Sequence, residues 1–237
     1  MAETKAMTPQ EMEEELLSFL YTKQIHCPVC DKEFMDFMIR KSKLRATHTD
    51  TDFRTTYKTI DTNHYDVLFC YHCGYATLQN YFDRITERQQ KMIREKITPH
   101  FRPMEFPMPL SLEHVSLRYK QALACADAIE SKPSQKAFIN LKLAWVLRGV
   151  KNKKLELKFL REAYEGLKKA FSTENFPLGQ MDESTAKYVI GDLARRLGEM
   201  TDAMRWVGDV VIAKGIPSSL KERALNLKDL IREGKTD

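Results

Sequence analysis

Four cysteines carry the clearest chemistry in this chain of 237 residues: Cys27, Cys30, Cys70 and Cys73. They fall into two Cys-x-x-Cys pairs. Thiolates are soft ligands, and four of them close a tetrahedral shell around zinc. Two intervening residues let both sulfurs of a tight turn face one ion. The contexts are turn-like: His26-Cys27-Pro28-Val29-Cys30-Asp31-Lys32 and Cys70-Tyr71-His72-Cys73-Gly74-Tyr75. Pro28 presets one backbone angle of its turn. Gly74 follows the last ligand, where a metal knuckle often needs a positive φ. The expectation is a structural four-cysteine zinc ribbon holding one Zn2+ per chain. The same ligands suit iron, which makes a rubredoxin-like electron carrier the alternative. With every position taken by sulfur, no coordination site is left for water, so metal-assisted hydrolysis is not expected there.

Other polar residues between the pairs invite chemistry less directly. Arg40, Lys41, Lys43 and Arg45 form a basic cluster, with Arg54 further on. They are the candidates for anion or nucleic-acid contact, although few aromatics are interleaved for base stacking. His48, Asp50, Asp52, His64 and Asp66 are candidate metal or acid–base groups in a spacing that matches no metal template. The plainer reading of these charges is salt bridges and caps on loops. Cys125 stands alone in a small-residue helix face, Ala122-Leu123-Ala124-Cys125-Ala126, and reads as packing. His26 and His72 sit beside ligands and are expected to hydrogen-bond or face solvent. Trp145 and Trp206 lie in helical cores. No phosphate-binding glycine loop, Gly-x-Ser-x-Gly or His-Glu-x-x-His occurs, and no enzymatic activity is expected.

The elements that position the cysteines can be read from periodicity. Thr8-Pro9-Gln10-Glu11 opens a helix running to about Thr22 with a capping box. Short strands are expected at Phe34–Arg40, around Phe53–Ile60 and at Tyr65–Phe69. Leu78, Phe82, Ile85, Met92, Ile93 and Ile97 predict one helix over 76–97. Pro99–Pro109 is rich in proline and reads as a linker pinned by its phenylalanines and methionines. Beyond Leu110, helices are expected at about 111–131, 134–149, 153–172, 183–198, 200–214 and 218–233. Ser134 and Ser219 are the candidate N-caps, with Glu222 completing a capping box at Ser219. Ile190-Gly191, Ala194, Gly198 and Ala203, with Val207 behind them, place small residues as a tetratricopeptide repeat does.

The fold class is therefore α+β: a small β-rich zinc ribbon followed by an all-α tetratricopeptide-like helical repeat array. The expected domains are 1–98 (N-terminal helix, elaborated ribbon and long helix), a 99–110 linker, and a 111–237 helical domain. The composition, 43% hydrophobic and 30% charged, supports a globular core. A net charge of +5 permits nucleic-acid binding without demanding it. No stretch approaches a membrane span, and acidic Met1–Glu15 lacks the order of a secretory signal. A cytoplasmic protein with reduced thiols follows, which favours metal over disulfides.

The chain also resembles a bacterial family of unknown function. The resemblance rests on Cys27-Pro28-Val29-Cys30, Lys41-Ser42-Lys43-Leu44-Arg45, Asp50-Thr51-Asp52-Phe53-Arg54 with Tyr57, and Tyr65-Asp66-Val67 leading into Cys70-Tyr71-His72-Cys73-Gly74-Tyr75. One departure is Tyr71, where a proline is expected. The resemblance implies bacterial cytosolic origin and the two-part layout, and brings no activity. The function expected is a zinc-binding adaptor whose repeats take a protein or peptide partner. Nucleic-acid binding by the ribbon is the alternative.

Overall fold

The computed structural model describes residues 8–236; residues 1–7, the start of the acidic N-terminal stretch, lie outside it. The chain forms two compact units. The first runs to His48 and resumes over Thr55–Ile129. The second takes Thr49–Arg54 and everything from Glu130 onward.

In the first unit, helix α1 (Pro9–Ser18) starts at the expected capping box, in which Thr8 and Glu11 exchange side-chain and backbone hydrogen bonds. It ends earlier than its apolar spacing suggests. From Leu20 the backbone pairs with the next strand, and Tyr21, Thr22 and Ile25 suit that extended form. Strands β1 (Leu20–His26) and β2 (Glu33–Ile39) make an antiparallel hairpin, in register from Leu20 opposite Ile39 to His26 opposite Glu33. A second pair joins β3 (Ala46–Thr49) to β4 (Thr55–Tyr57). A third antiparallel pair joins β5 (Val67–Phe69) to β6 (Ala76–Leu78).

The single helix expected over 76–97 does not form. Residues 76–78 are claimed by the β5–β6 ladder, a 3-10 turn spans Gln79–Arg84, and helix α2 (Glu87–Lys96) begins afresh. Its start is a capping box between Thr86 and Gln89. The apolar residues read as a helix face serve the core in another way: Phe82, in the 3-10 turn, is fully buried between Phe34 and Tyr75.

Helix α3 (Leu112–Ala128) belongs to this first unit and packs on β5 and β6 through buried Val115, Tyr119, Ala122 and Ala126. The proline-rich 99–110 stretch thus runs inside the first unit, and the boundary falls after Ile129. Phe101 and Phe106 pin that stretch against Phe69. The core also buries an ion pair. Asp36 accepts from its neighbour Phe37 N–H, from Phe69 N–H on β5 and from Arg118 of α3, while Arg118 also donates to the Val67 carbonyl. One carboxylate therefore ties three elements together, and its burial is offset by three hydrogen bonds and the Arg118 charge.

The second unit is helical apart from its inserted segment and the short 178–181 turn. Helices α4 (Pro133–Gly149) and α5 (Lys153–Thr173) form one hairpin, α6 (Glu183–Arg196) and α7 (Met200–Ile212) another, and α8 (Ser218–Arg232) closes on α7. Leu141, Leu160, Leu167, Tyr188, Leu193, Val207 and Leu227 fill the shared core. Gly191 is where α6 meets α7: a Cβ there would lie 2.6 Å from Val207 Cγ2. Ala194 and Ala203 are fully buried beside it. The two expected serine caps are replaced. Helix α4 starts at Pro133, so Ser134 sits inside its first turn and gives its N–H and hydroxyl to Glu174. Helix α8 starts at Ser218 behind Pro217 without a side-chain cap.

Candidate metal centre

Each cysteine pair occupies the turn of a hairpin. The first knuckle joins β1 to β2, and the second joins β5 to β6. The two turns are built alike. Cys27 N–H donates to the Lys32 carbonyl and Asp31 N–H to the Cys27 carbonyl. In the second, Cys70 N–H donates to the Tyr75 carbonyl and Gly74 N–H to the Cys70 carbonyl. The residue after the second sulfur has a positive φ in both, +78° at Gly74 and 60° at Asp31. Glycine adopts that angle freely, and aspartate is among the residues that tolerate it. At Gly74 close packing adds a second demand, because a Cβ would lie 2.5 Å from the Phe101 ring.

The four sulfurs lie within 4.8 Å of one another. Cys27 and Cys73 are 3.7 Å apart, as are Cys30 and Cys70, so sulfurs of the two knuckles meet at close range. A tetrahedron with metal–sulfur bonds of about 2.3 Å has edges of about 3.8 Å. The cluster is thus already at ligand spacing. Cys27, Cys70 and Cys73 are buried, and Cys30 is partly exposed. Hydrogen bonds from Cys27 and Cys73 pull the Cys70 thiol far down, while the contact with Cys70 pushes Cys27 up and contacts with Cys27 and then Cys70 push Cys73 up. A divalent cation would remove that conflict by taking all four as thiolates.

A layer of further contacts holds the knuckles. Arg94 of α2 donates to the Val29 carbonyl at 2.8 Å, and Thr98 to the Cys73 carbonyl at 3.1 Å. From α3, Gln121 donates to the Gly74 carbonyl at 2.8 Å and Cys125 Sγ donates to it at 3.4 Å, while Ala76 N–H donates to Cys125 Sγ. Burial pushes the Cys125 thiol up to about 12, which keeps it an inert packing and hydrogen-bonding group. His72 donates to the Glu33 carbonyl, and His26 pairs with Asp31. Both histidines therefore brace the turns, while Cys125, Gln121, Arg94 and Thr98 are supports that local spacing does not reveal.

A bacterial protein family described as "Uncharacterized protein conserved in bacteria (DUF2225)" matches residues 20–235. The chain belongs to this family. No curated protein and no solved structure matches the chain. The DUF2225 match spans both knuckles and nearly the whole helical unit. Among the described residues no helix is long and apolar enough to cross a membrane.

The other candidate residues are placed as follows. Lys41 and Lys43 lie in a short 3-10 turn after β2, with Arg40 before it and Arg45 just after. Three of these four are engaged within the chain: Lys43 donates to the Ser18 carbonyl, Arg45 to the Ser42 and Leu44 carbonyls, and Arg40 lies over the Tyr21 ring. Arg54 belongs to the second unit, where it is buried and lies 3.9 Å from Asp50. His48 lies in β3, His64 in the 3-10 turn Thr62–Tyr65, and Asp66 directly after it. The four cysteines are the one His/Cys/Asp/Glu group spaced for a metal among the described residues, so the second metal set does not assemble.

Asp50 and Asp52 are instead part of a buried ionic network in the second unit. Asp52, with a fully buried side chain, accepts two hydrogen bonds from Arg148 and one from Trp145. Arg148 also reaches Asp50 and Glu156. Buried Asp192 accepts from Arg195, Arg196 and Thr51. Burial alone would push the Asp52 carboxyl up, but the charge of Arg196 and the hydrogen bonds of Arg148 and Trp145 hold it below the ordinary range. The Asp50–Arg54 residues of the family pattern thus find their role in fastening an inserted segment to α4 and α6.

Proposed function

We propose that Cys27, Cys30, Cys70 and Cys73 hold one structural Zn2+, and that the ion serves to fold the first unit of an adaptor protein. The observation that carries this reading is four sulfurs within 4.8 Å at the turns of two hairpins, three of them buried. A site closed by four thiolates leaves no place for a reacting water, so the ion's role is structural. Binding free energy at such a site becomes folding free energy, because the unfolded chain has no preformed shell. Metal content and an absorption spectrum of freshly purified protein, beside a Cys70→Ser/Cys73→Ser variant, test it. About one colourless zinc per chain, lost together with first-unit structure in the variant, is the expected result. Iron with visible absorbance replaces the structural ion by an electron-transfer centre. A metal-free protein whose variant folds normally refutes the reading.

The helical unit supplies the adaptor surface in this proposal, as a tetratricopeptide-like array taking a protein or peptide partner. An open apolar groove lined by Met200, Met204 and Ile231, with Arg205 beside it, supports the choice of that unit. Met204→Asp, which charges the groove, is expected to remove the partner from cross-linked material while metal content stays unchanged.

A further inference from the structure

The first unit contains a partly open cleft of about 170 Å³ beside the second knuckle. Its polar base is the buried Asp36–Arg118 pair, its apolar lining includes Phe69, Tyr71 and Phe106, and exposed Glu105 is at its edge. Arg118 is only 2% exposed, yet its Nε–H has no acceptor among the described residues. Both of its hydrogen bonds leave from Nη2, to Asp36 and to the Val67 carbonyl. Asp36 accepts from Phe37 N–H, Phe69 N–H and Arg118 Nη2, and none of these bonds uses the Arg118 Nε–H. A buried guanidinium with an idle donor beside a cavity calls for an acceptor from outside the chain.

The charges narrow the class of ligand. Asp36 and Arg118 neutralise one another, and Glu105 leaves the cleft negative by one. A simple anion would meet that excess charge, and a simple cation would leave the arginine donor idle. A zwitterion satisfies both ends. The volume is close to that of a cavity that takes one benzene, so the apolar part is the size of one side chain. Phe69 and Phe106 meet edge to face with centroids 4.8 Å apart, a rigid wall for such a group.

We propose that this cleft binds a free α-amino acid with an apolar side chain. Its carboxylate faces Arg118, its ammonium faces Glu105, and its side chain lies against Phe69, Tyr71 and Phe106. The test is NMR titration of the full-length, metal-loaded protein, reading the ring signals of Tyr71 and Phe106. The probes are L-phenylalanine, L-leucine, 3-phenylpropanoate and 2-phenylethylamine. The amino acids are expected to shift both rings and saturate, with the two half-ligands at least about tenfold weaker. Glu105→Gln alters only an exposed side chain, so the fold is retained. It should weaken the amino acids about tenfold and leave 3-phenylpropanoate unchanged. No shift at about 10 mM amino acid, equal binding of either half-ligand, or indifference to Glu105→Gln would each overturn the proposal.

Discussion

Substituting Asp52 by asparagine keeps the shape of the side chain and removes its charge. In the native protein this carboxylate accepts from Arg148 Nη2 at 2.7 Å, Arg148 Nη1 at 3.0 Å and Trp145 Nε1 at 2.9 Å, and Arg196 Nε lies 3.6 Å away. The asparagine amide would turn an N–H₂ group toward guanidinium donors and leave two buried arginines short of one counter-charge. Removing one partner from a buried ion pair costs about 3–5 kcal/mol. For a unit of this size that lowers Tm by roughly 10–20 °C. Urea denaturation followed by tryptophan fluorescence measures it well, because Trp145 and Trp206 both belong to the second unit. Trp145→Phe removes one hydrogen bond to the charged carboxylate and should cost about 1.5–3 kcal/mol. The pH dependence has a definite sign. The Asp52 carboxyl is held below its ordinary 3.8, so its stabilisation is complete above that value and is lost as pH falls toward the folded-state value. Acid should therefore erode wild-type stability more than that of Asp52→Asn. A variant within about 1 kcal/mol of wild type would refute the claim that this network fastens the inserted segment.

Gly74→Ala forces a positive φ on alanine and drives a Cβ into Phe101, so zinc retention against a chelator should fall, with a stability cost of about 1–3 kcal/mol. Gln121→Ala removes the shorter of two hydrogen bonds to the Gly74 carbonyl, leaving only the Cys125 thiol, and should weaken zinc binding about 10–100-fold in a competition titration, while the second unit's fluorescence transition stays in place. Cys125, with its thiol raised to about 12 and 1% exposed, should resist iodoacetamide at pH 8 in the folded protein and react after denaturation, as mass spectrometry would show. A Cys125 that labels as fast as a free thiol would contradict its buried place behind the knuckle.

The cysteine spacing, the glycine after Cys73, the Thr8–Glu11 cap and the helical periodicity beyond residue 130 were legible in the sequence. Each is local: a knuckle, a cap or a helix face is written within a few residues, and backbone stereochemistry converts it directly into geometry. Asp31 repeats the role of Gly74, yet its positive φ was hidden because the aspartate gives a weaker signal for that angle than glycine does. The tertiary structure decided the rest. Residues 76–78 fit a helical apolar pattern, but ladder hydrogen bonds to β5 outweighed that periodicity. Helix α3 joined the cysteine-bearing unit because Arg118 found Asp36, 82 residues away, and Tyr119 found Asn63. The carboxylates at 50 and 52 looked like ligands or loop caps until Arg148, 96 residues beyond Asp52, supplied their counter-charge. Desolvation makes a buried charge depend on whichever partner the fold delivers, and the distance along the chain to that partner leaves no mark on the local sequence.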